Sequence, residues 1–267
     1  MRYSKTMFYR ITIALLLAPC LMARAAAPLE LESDKRMVVT SQHLASDVGA
    51  AILRQGGNAI DAAVAVGYAL AVTHPCCGNL GGGGFMVIHF ADGKNTFLNF
   101  RERAPLAARA DMFLDAQGKV VSNRSLDGYL AVGVPGTVMG LETARQKYGT
   151  LPRAVLIAPA IKLAEDGFVL TRGDVDVLAE GTKEFRNQPN VAAIFLNHSE
   201  PLVPGDRLTQ KDLAATLRAI SGGGADVEAI GIAPADAAAA KARGFPRPAV
   251  FYGANDSRAP AGSAAAP

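Results

Sequence analysis

The fold is decided by the stretch Asn58–Phe90, "NAIDAAVAVGYALAVTHPCCGNLGGGGFMVIHF". Asn58 can cap a helix running from about Ala59 to Thr73, and Pro75 prevents its continuation. The small residues of this helix let another backbone approach closely. A run of glycines then precedes "FMVIHF", which is apolar at nearly every position and therefore predicts a strand covered on both faces. The stretch predicts a helix, a glycine loop and a strand, in that order.

The residues on either side extend this pattern. A preceding helix is predicted because apolar residues mark one helical face before Gly56 and Gly57 offer a C-terminal cap. After the glycines, "FMVIHF" and "NTFLNF" are joined by Asp92-Gly93, a strong hairpin turn sequence. The helical face consists of Leu44, Val48, Ile52 and Leu53.

Three later segments have helical patterns: "GTVMGLETARQKYG", "PRAVLIAPAIKLAEDGF" ending at Gly167, and "LTQKDLAATLRAIS". In the last of these, Thr209 and Asp212 approximate a capping box. Helices packed on a sheet, with a helical excursion, predict an α+β domain.

Composition favours one large domain. The chain has 267 residues, of which 50% are hydrophobic and 19% charged, so it can bury a substantial core. The formal net charge is only +3, and Lys and Arg are scattered among Asp and Glu. This distribution predicts no nucleic-acid-binding face, and it favours small-molecule or peptide partners.

The two ends differ from the rest of the chain. Basic residues precede the apolar run "ITIALLLAPCLM" and then "ARAAAP", which predicts a signal peptide over residues 1–25 and a periplasmic or secreted protein. The apolar run is too short for an ordinary membrane span, and the residues around Cys20 fit a lipoprotein signal poorly. Residues 26–226 form the predicted domain. Residues 227–267 are rich in Ala and Pro, and we expect a disordered tail there.

The glycine run does not have the order of a phosphate-binding loop. Such a loop follows a strand and opens a helix, whereas here the helix comes first, and no Lys-Ser or Lys-Thr follows. Close backbone approach is the favoured interpretation of the run, and glycines bordering a substrate pocket are the alternative.

The cysteines and histidines do not form an obvious catalytic group. Adjacent Cys76 and Cys77 could close a disulfide only through a strained ring, so two free or buried thiols are expected. Cys77 and His74 could form a thiolate pair, but Pro75 stiffens the backbone between them, and no orienting group is identifiable. The four histidines lie far apart without acidic ligands at metal spacing, so no metal site is expected.

A more informative polar stretch is "NFRERAP", Asn99–Pro105, at the end of the second hairpin strand. Arg101 at a strand end can form a bidentate clamp on a carboxylate. The alternative is an ion pair among Arg101, Glu102 and Arg103. The residues themselves leave the two interpretations open.

Four blocks together resemble the amino-terminal part of bacterial gamma-glutamyltransferases, also called gamma-glutamyltranspeptidases or glutathione hydrolases. The blocks are "GGNAIDAAVAVGYALAVTHP", "GNLGGGGFMVIHF", "NFRERAP" and "VGVPGTVMGLETARQKYGTLP". The resemblance covers about 37–224. It implies part of an αββα sandwich of the N-terminal nucleophile hydrolase type, made from a large and a small subunit. It also implies that Arg101 binds the α-carboxylate of the gamma-glutamyl group.

In this family an exported precursor cuts itself and exposes a threonine that carries the gamma-glutamyl group as an acyl-enzyme. Its free α-amine can serve as the base, so no cofactor is implied. The family's "TTH" and "GSPGG" blocks do not occur in this sequence. We therefore expect a fragment without a catalytic residue of its own, inactive alone, with residues from about 227 onward possibly translated out of frame.

Two other interpretations remain open. The chain could be a half-enzyme completed in trans by a separately encoded small subunit. It could also be a non-catalytic periplasmic module that binds glutathione or other gamma-glutamyl compounds, although Arg101 alone supplies few contacts for tight binding. The sequence departs from the family pattern at "PCCG", where small or polar residues are expected before "GNLGGGG". Two thiols at this place are compatible with a buried, tightly packed loop.

Overall fold

A computed structural model describes residues 32–126 and 128–223. Of the described residues, those from Val38 onward belong to one compact unit and residues 32–37 belong to another. The predicted signal peptide, residues 1–25, and the Ala/Pro-rich segment, residues 227–267, lie outside the described residues. Within the described ranges, no helix has the length and apolar character needed to cross a membrane.

The chain is a mixture of helices and short strands, as the sequence predicts. The helices are α1 His43–Arg54, α2 Ala59–Thr73, α3 Thr137–Tyr148, α4 Arg153–Asp166, α5 Arg172–Ala179, α6 Thr182–Arg186, α7 Pro189–Phe195 and α8 Lys211–Gly223, with a 3-10 turn at Tyr129–Ala131. The strands are β1 Phe85–His89, β2 Asn95–Asn99, β3 Phe168–Val169, β4 Leu196–Asn197, β5 Glu200–Pro201 and β6 Arg207–Leu208.

Helix α2 is the centre of the core. It contacts α1, α3 and α4, and α4 in turn packs on α8. Apolar residues surround α2, and Val64, Tyr68 and Val72 are almost completely buried. Gly67 faces Leu141 of α3, where an added Cβ would lie 3.1 Å from the leucine side chain. The small residues of α2 therefore allow the close helix packing that the sequence predicts.

The first turn of α2 is fixed by a capping box. The Asn58 side chain accepts hydrogen bonds from the Ile60 and Asp61 backbone N–H groups, while the Asp61 carboxylate accepts one from the Asn58 N–H. Asp61 is completely buried and also accepts bonds from Thr150 and Leu151, which lie between α3 and α4. A single carboxylate thus joins the start of α2 to the α3–α4 connection.

Strands β1 and β2 form the predicted antiparallel hairpin, in which Phe85 pairs with Asn99 and His89 pairs with Asn95. Gly93 in the turn has φ +84°, a conformation that glycine adopts without strain. The prediction that β1 is covered on both faces is wrong for the described residues. Ile88 is buried on the inner face, whereas Phe85 and Val87 on the outer face are 55% and 75% exposed.

The remaining strands form two small antiparallel pairs, β3 with β6 and β4 with β5. Helix α8 begins at Lys211, so Gln210 precedes it and the capping box predicted for Thr209 and Asp212 is wrong. The reason is a tertiary contact: the buried Gln210 side chain donates a 2.7 Å hydrogen bond to the Val72 carbonyl at the end of α2.

Candidate functional site

The glycine run connects α2 to β1 through backbone contacts. An added Cβ would lie 2.0 Å from the Leu70 carbonyl oxygen at Gly78, 2.6 Å from the Phe100 carbonyl oxygen at Gly83, and 2.8 Å from the Phe100 ring at Gly84. Side chains at these positions would collide with atoms that cannot move freely. The predicted close approach is therefore confirmed at these three glycines. Its partner is the last part of α2 for Gly78, and the segment that follows β2 for Gly83 and Gly84.

The glycine loop is also bonded to the start of α3. The Gly82 carbonyl accepts hydrogen bonds from the N–H groups of Gly136 and Thr137, at 2.7 and 3.1 Å. The Asn79 Oδ1 atom accepts from the Gly82 N–H at 2.9 Å and from the Thr137 Oγ1 hydroxyl at 2.6 Å. Asn79 was not among the residues predicted to be important. A short amide just before several glycines is a pattern that could have indicated a side-chain-capped turn.

The segment after β2 lies between the glycine loop and the residues that precede α3. Phe100 and Gly84 exchange backbone hydrogen bonds of 3.0 and 3.3 Å. Arg103 and Val134 exchange another pair of 3.1 and 2.7 Å. The backbone of Arg101, between these two anchors, donates to Asn99 Oδ1 at 3.0 Å. The position of Arg101 is therefore set by backbone pairing on both sides.

The Arg101 side chain forms the ion pair with Glu102 that is one of the two sequence-based interpretations, and the carboxylate clamp stays a prediction. Its Nε atom donates to Glu102 Oε2 at 3.0 Å, and its guanidinium carbon lies 5.7 Å from the centre of the Phe85 ring. Within residues 32–126 and 128–223, neither Nη atom has a hydrogen-bond partner. The side chain is 61% exposed, so the ion pair is weak. The edge formed by the two Nη atoms thus remains open to a carboxylate ligand.

The two cysteines do not have the environment that the sequence suggested. Both are free, which confirms the expectation that they form no disulfide, but both are exposed, so the expectation of a buried loop is wrong. Their Sγ atoms lie 2.9 Å apart, and Cys76, rather than Cys77, lies close to His74, with 3.4 Å from Sγ to Nε2. Partial desolvation and then the hydrogen bond with Cys77 raise the pKa of Cys76 to about 11. At neutral pH this thiol lacks the charge that a nucleophile requires.

A second buried carboxylate belongs to the scaffold. Glu142 of α3 accepts hydrogen bonds from Arg145, Gln146 and Arg153, at 2.7, 2.8 and 3.1 Å for its Oε1 atom. Burial opposes its ionisation, but the bonds from Arg145 and Gln146 outweigh this effect and hold the pKa of Glu142 below its ordinary value. Arg153 also donates to the Ser221 carbonyl of α8 at 3.1 Å. The network ties α3 to α4 and α8, and its donors leave Glu142 poorly suited to proton transfer.

Comparison with known proteins gives a consistent result. Residues 45–229 match the family model described as gamma-glutamyltranspeptidase. The glutathione hydrolase proenzyme of Pseudomonas sp. strain A14 is 60% identical over 203 residues, covering 76% of this chain and 35% of that protein. The glutathione hydrolase proenzyme of Escherichia coli K12 is 46% identical over 236 residues, covering 83% of this chain and 41% of that protein.

A solved structure has a similar fold. The crystal structure of Helicobacter pylori gamma-glutamyltranspeptidase aligns with a TM-score of 0.69 and 48% sequence identity, covering 72% of this chain and 56% of that chain. The chain thus spans well under half of the two curated relatives it matches, and just over half of the solved chain.

Proposed function

This chain belongs to the gamma-glutamyltranspeptidase family, and we propose that it supplies the gamma-glutamyl-binding part of an enzyme that acts on glutathione. The enzyme hydrolyses the gamma-glutamyl bond or transfers the gamma-glutamyl group to an amino acid. Because the chain spans only part of its relatives, the remaining parts of the active site come from residues outside these 267.

The open edge of Arg101 is the observation that carries the proposal. A gamma-glutamyl group keeps a free α-carboxylate, and a guanidinium binds a carboxylate through two parallel hydrogen bonds. Backbone pairing at Phe100 and Arg103 limits movement of the arginine backbone, so less freedom is lost when the ligand binds. Arg101 is therefore assigned to substrate binding, while Glu102 holds its Nε atom on the opposite edge.

The chemical step requires a nucleophile from outside this sequence. We assign it to a threonine at the amino terminus of a second subunit, formed by cleavage of a precursor. Its hydroxyl attacks the gamma-carbonyl carbon, and its α-amine takes the hydroxyl proton and passes it to the leaving amine. Water or an amino acid then attacks the acyl-enzyme and releases the gamma-glutamyl group. The proposal needs no cofactor.

The outer face of the hairpin supports a larger assembly of the αββα sandwich type. Phe85, Val87 and Phe97 lie on this face, and Phe85 and Phe97 stack with ring centres 5.6 Å apart. All three are more than half exposed. An exposed patch of adjoining large apolar side chains is normally covered. We propose that the rest of the enzyme adds strands and a second helical layer here, and that residues 1–25 direct export to the periplasm or beyond.

Complementation tests the proposal. The chain would be co-expressed with the part of the Pseudomonas sp. A14 relative that lies beyond the matched region. Glutathione hydrolysis should appear in the co-purified complex and be absent from the chain alone. Arg101→Ala should lower kcat/KM about 30-fold or more, as expected when ~2 kcal/mol of paired-charge binding is lost.

Arg54→Ala is the matched control, because Arg54 is an exposed arginine on α1 whose Nε donates only to the Ala50 carbonyl within its own helix. It should leave kcat/KM unchanged. Full activity with Arg101→Ala would refute the role of the arginine. Tight glutathione binding by the chain alone, without turnover in any complex, would instead favour the non-catalytic binding module.

A further inference from the structure

Three metal-binding side chains meet where α2 ends. One ring nitrogen of His74 and the Sγ atoms of Cys76 and Cys77 all lie within 4.8 Å of one another. Imidazole and thiolate are the ligands that Zn²⁺ prefers. The histidines lie far apart in sequence from one another, but a tight turn brings both thiols to His74, so a metal site can form here without a second histidine or an acidic residue.

The turn that carries these side chains is hydrogen-bonded and short. The His74 carbonyl accepts from the Cys77 N–H at 3.1 Å and from the Gly78 N–H at 2.8 Å. The His74 N–H donates to the Leu70 carbonyl in the last turn of α2 at 2.9 Å. Pro75 restricts the backbone between His74 and Cys76. The ligands are thus carried by a backbone that is ordered before any ion binds.

The distances are close to those of a tetrahedral site. Bond lengths of ~2.3 Å for Zn–S and ~2.0 Å for Zn–N place S and N ligands about 3.6 Å apart and two S ligands about 3.8 Å apart. The observed separation between Cys76 Sγ and His74 Nε2 is 3.4 Å, and the two Sγ atoms are 2.9 Å apart. Side-chain rotation that separates the exposed thiols by somewhat less than 1 Å completes the geometry.

The electrostatic environment favours a cation. The cluster lies at the C-terminus of the 15-residue helix α2, where the helix dipole is negative. No basic residue lies in the last turn of α2 to oppose a bound cation. The Glu180 carboxylate adds a further negative charge near Cys76.

We propose that His74, Cys76 and Cys77 bind one Zn²⁺ ion. The Nε2 atom of neutral His74 and the two thiolates form three Zn–ligand bonds, and the two thiol protons are released to solvent. Water occupies the fourth position, because both cysteines face solvent. The site is separate from the proposed acyl transfer, which uses no metal, and it fixes the first residues of the glycine loop.

Co²⁺ is a suitable probe, since it replaces Zn²⁺ and absorbs light when bound to thiolates. The reduced full-length chain should bind one Co²⁺ with a thiolate charge-transfer band, and Zn²⁺ should abolish the band by displacement. The double variant Cys76→Ser/Cys77→Ser should lose the band, and His74→Gln should weaken Co²⁺ binding. His43→Gln, at an exposed position at the start of α1, should have no effect.

Alkylation provides a second measurement that does not depend on variant folding. Zn²⁺ should slow the reaction of Cys76 and Cys77 with iodoacetamide in the unmodified chain, and it should protect the same two thiols less in His74→Gln. Each of three results overturns the proposal: a thiolate band that survives the double variant, no protection by Zn²⁺, or a Cys76–Cys77 disulfide in the reduced preparation. None of these readouts involves glutathione, so they do not depend on the proposed enzymatic function.

Discussion

Replacing Asp61 with asparagine tests the most heavily bonded buried carboxylate of the core. The substitution keeps the size of the side chain and converts one acceptor oxygen into an NH₂ donor. In the structure Oδ1 accepts from the Thr150 and Leu151 N–H groups at 3.0 and 3.1 Å. Oδ2 accepts from the Asn58 N–H at 2.9 Å and from the Thr150 hydroxyl at 2.6 Å.

The loss of folding stability depends on which of these hydrogen bonds the asparagine amide can keep. With its oxygen at the Oδ1 position, the substituted side chain retains the bonds from Thr150 N–H and Leu151 N–H, without the charge. Its NH₂ group then faces the Asn58 N–H, so one buried donor is left unpaired, while the Thr150 hydroxyl can rotate and accept. A lost hydrogen bond to a charged group costs ~1.5–3 kcal/mol and an unpaired buried donor ~1–3 kcal/mol. We expect Asp61→Asn to reduce the free energy of unfolding by about 3 kcal/mol.

Urea unfolding followed by circular dichroism measures this difference at pH 7. The midpoint should fall with little change in slope, because the surface exposed on unfolding is the same. Thr150→Val removes only the hydroxyl bond and should cost ~1.5–3 kcal/mol. Asp47→Asn, at an exposed position of α1, should change stability by less than about 0.5 kcal/mol. If Asp61→Asn has no larger effect than Asp47→Asn, the assigned role of Asp61 is refuted.

The pH dependence gives an independent test of the same carboxylate. Burial opposes ionisation of Asp61, but the bonds from Thr150, Asn58 and Leu151 outweigh it and lower its pKa in the folded chain. A lowered folded-state pKa means that the stabilisation is present above the pKa of the unfolded chain and is lost as the pH falls toward the folded value. The stability of the unmodified chain should therefore decrease more steeply below about pH 4 than that of Asp61→Asn.

Three further substitutions test the glycine loop and its surroundings. Gly83→Ala should destabilise the chain by ~1–3 kcal/mol, because its Cβ would lie 2.6 Å from the Phe100 carbonyl oxygen. The Cβ of Gly81→Ala would meet no atom within 4 Å, so this variant should be tolerated. The midpoints of urea unfolding compare the two variants. Asn79→Ala removes the bonds to Gly82 and Thr137 and should cost ~1–3 kcal/mol in the same assay, with faster hydrogen exchange at the Gly82 N–H. Equal midpoints for the two alanine variants of the glycine run would contradict the packing role.

Local features of the sequence were enough to predict the main helices and the hairpin. The helix cap at Asn58, the helix end at Pro75 and the turn at Asp92-Gly93 each depend only on neighbouring residues. Their effects can therefore be predicted without knowledge of tertiary contacts. The start of α8 could not be predicted this way. Gln210 is fixed by the Val72 carbonyl, 138 positions away in sequence, and that contact outweighs the local preference for Thr209 as a cap.

The covering of β1 was wrongly predicted for a different reason. The composition of "FMVIHF" indicates that both faces of the strand are apolar. It does not indicate which segment of the chain packs on each face. In the described residues the inner face packs on the core and the outer face does not. The exposure of Phe85 and Val87 is itself expected of a surface on which further structure packs.

For Arg101, the sequence predicts the position at the end of a strand, and the structure adds which atoms of the side chain are already bonded. The strand-end position is readable from "NFRERAP", yet the residues alone could not separate an ion pair from a carboxylate clamp. In the structure the two interactions are compatible, because they use different atoms, Nε for Glu102 and the Nη edge for a ligand. Only the family resemblance indicates that the carboxylate ligand is the α-carboxylate of a gamma-glutamyl group. The geometry around Arg101 does not identify the ligand.

The contacts around Arg101 imply that core packing is linked to the position of this arginine, and therefore to its proposed role in substrate binding. Asp61 fixes the start of α2 against the α3–α4 connection, and the other end of α2 leads into the glycine loop. That loop is bonded to the start of α3 through Asn79, and it pairs with Phe100 beside the arginine. A shift of α2 against α3 would thus change the position of Arg101 without touching its side chain. In an active complex, Asn79→Ala should therefore raise KM for glutathione more than it lowers kcat, since the arginine proposed to bind the substrate, rather than the nucleophile, is displaced.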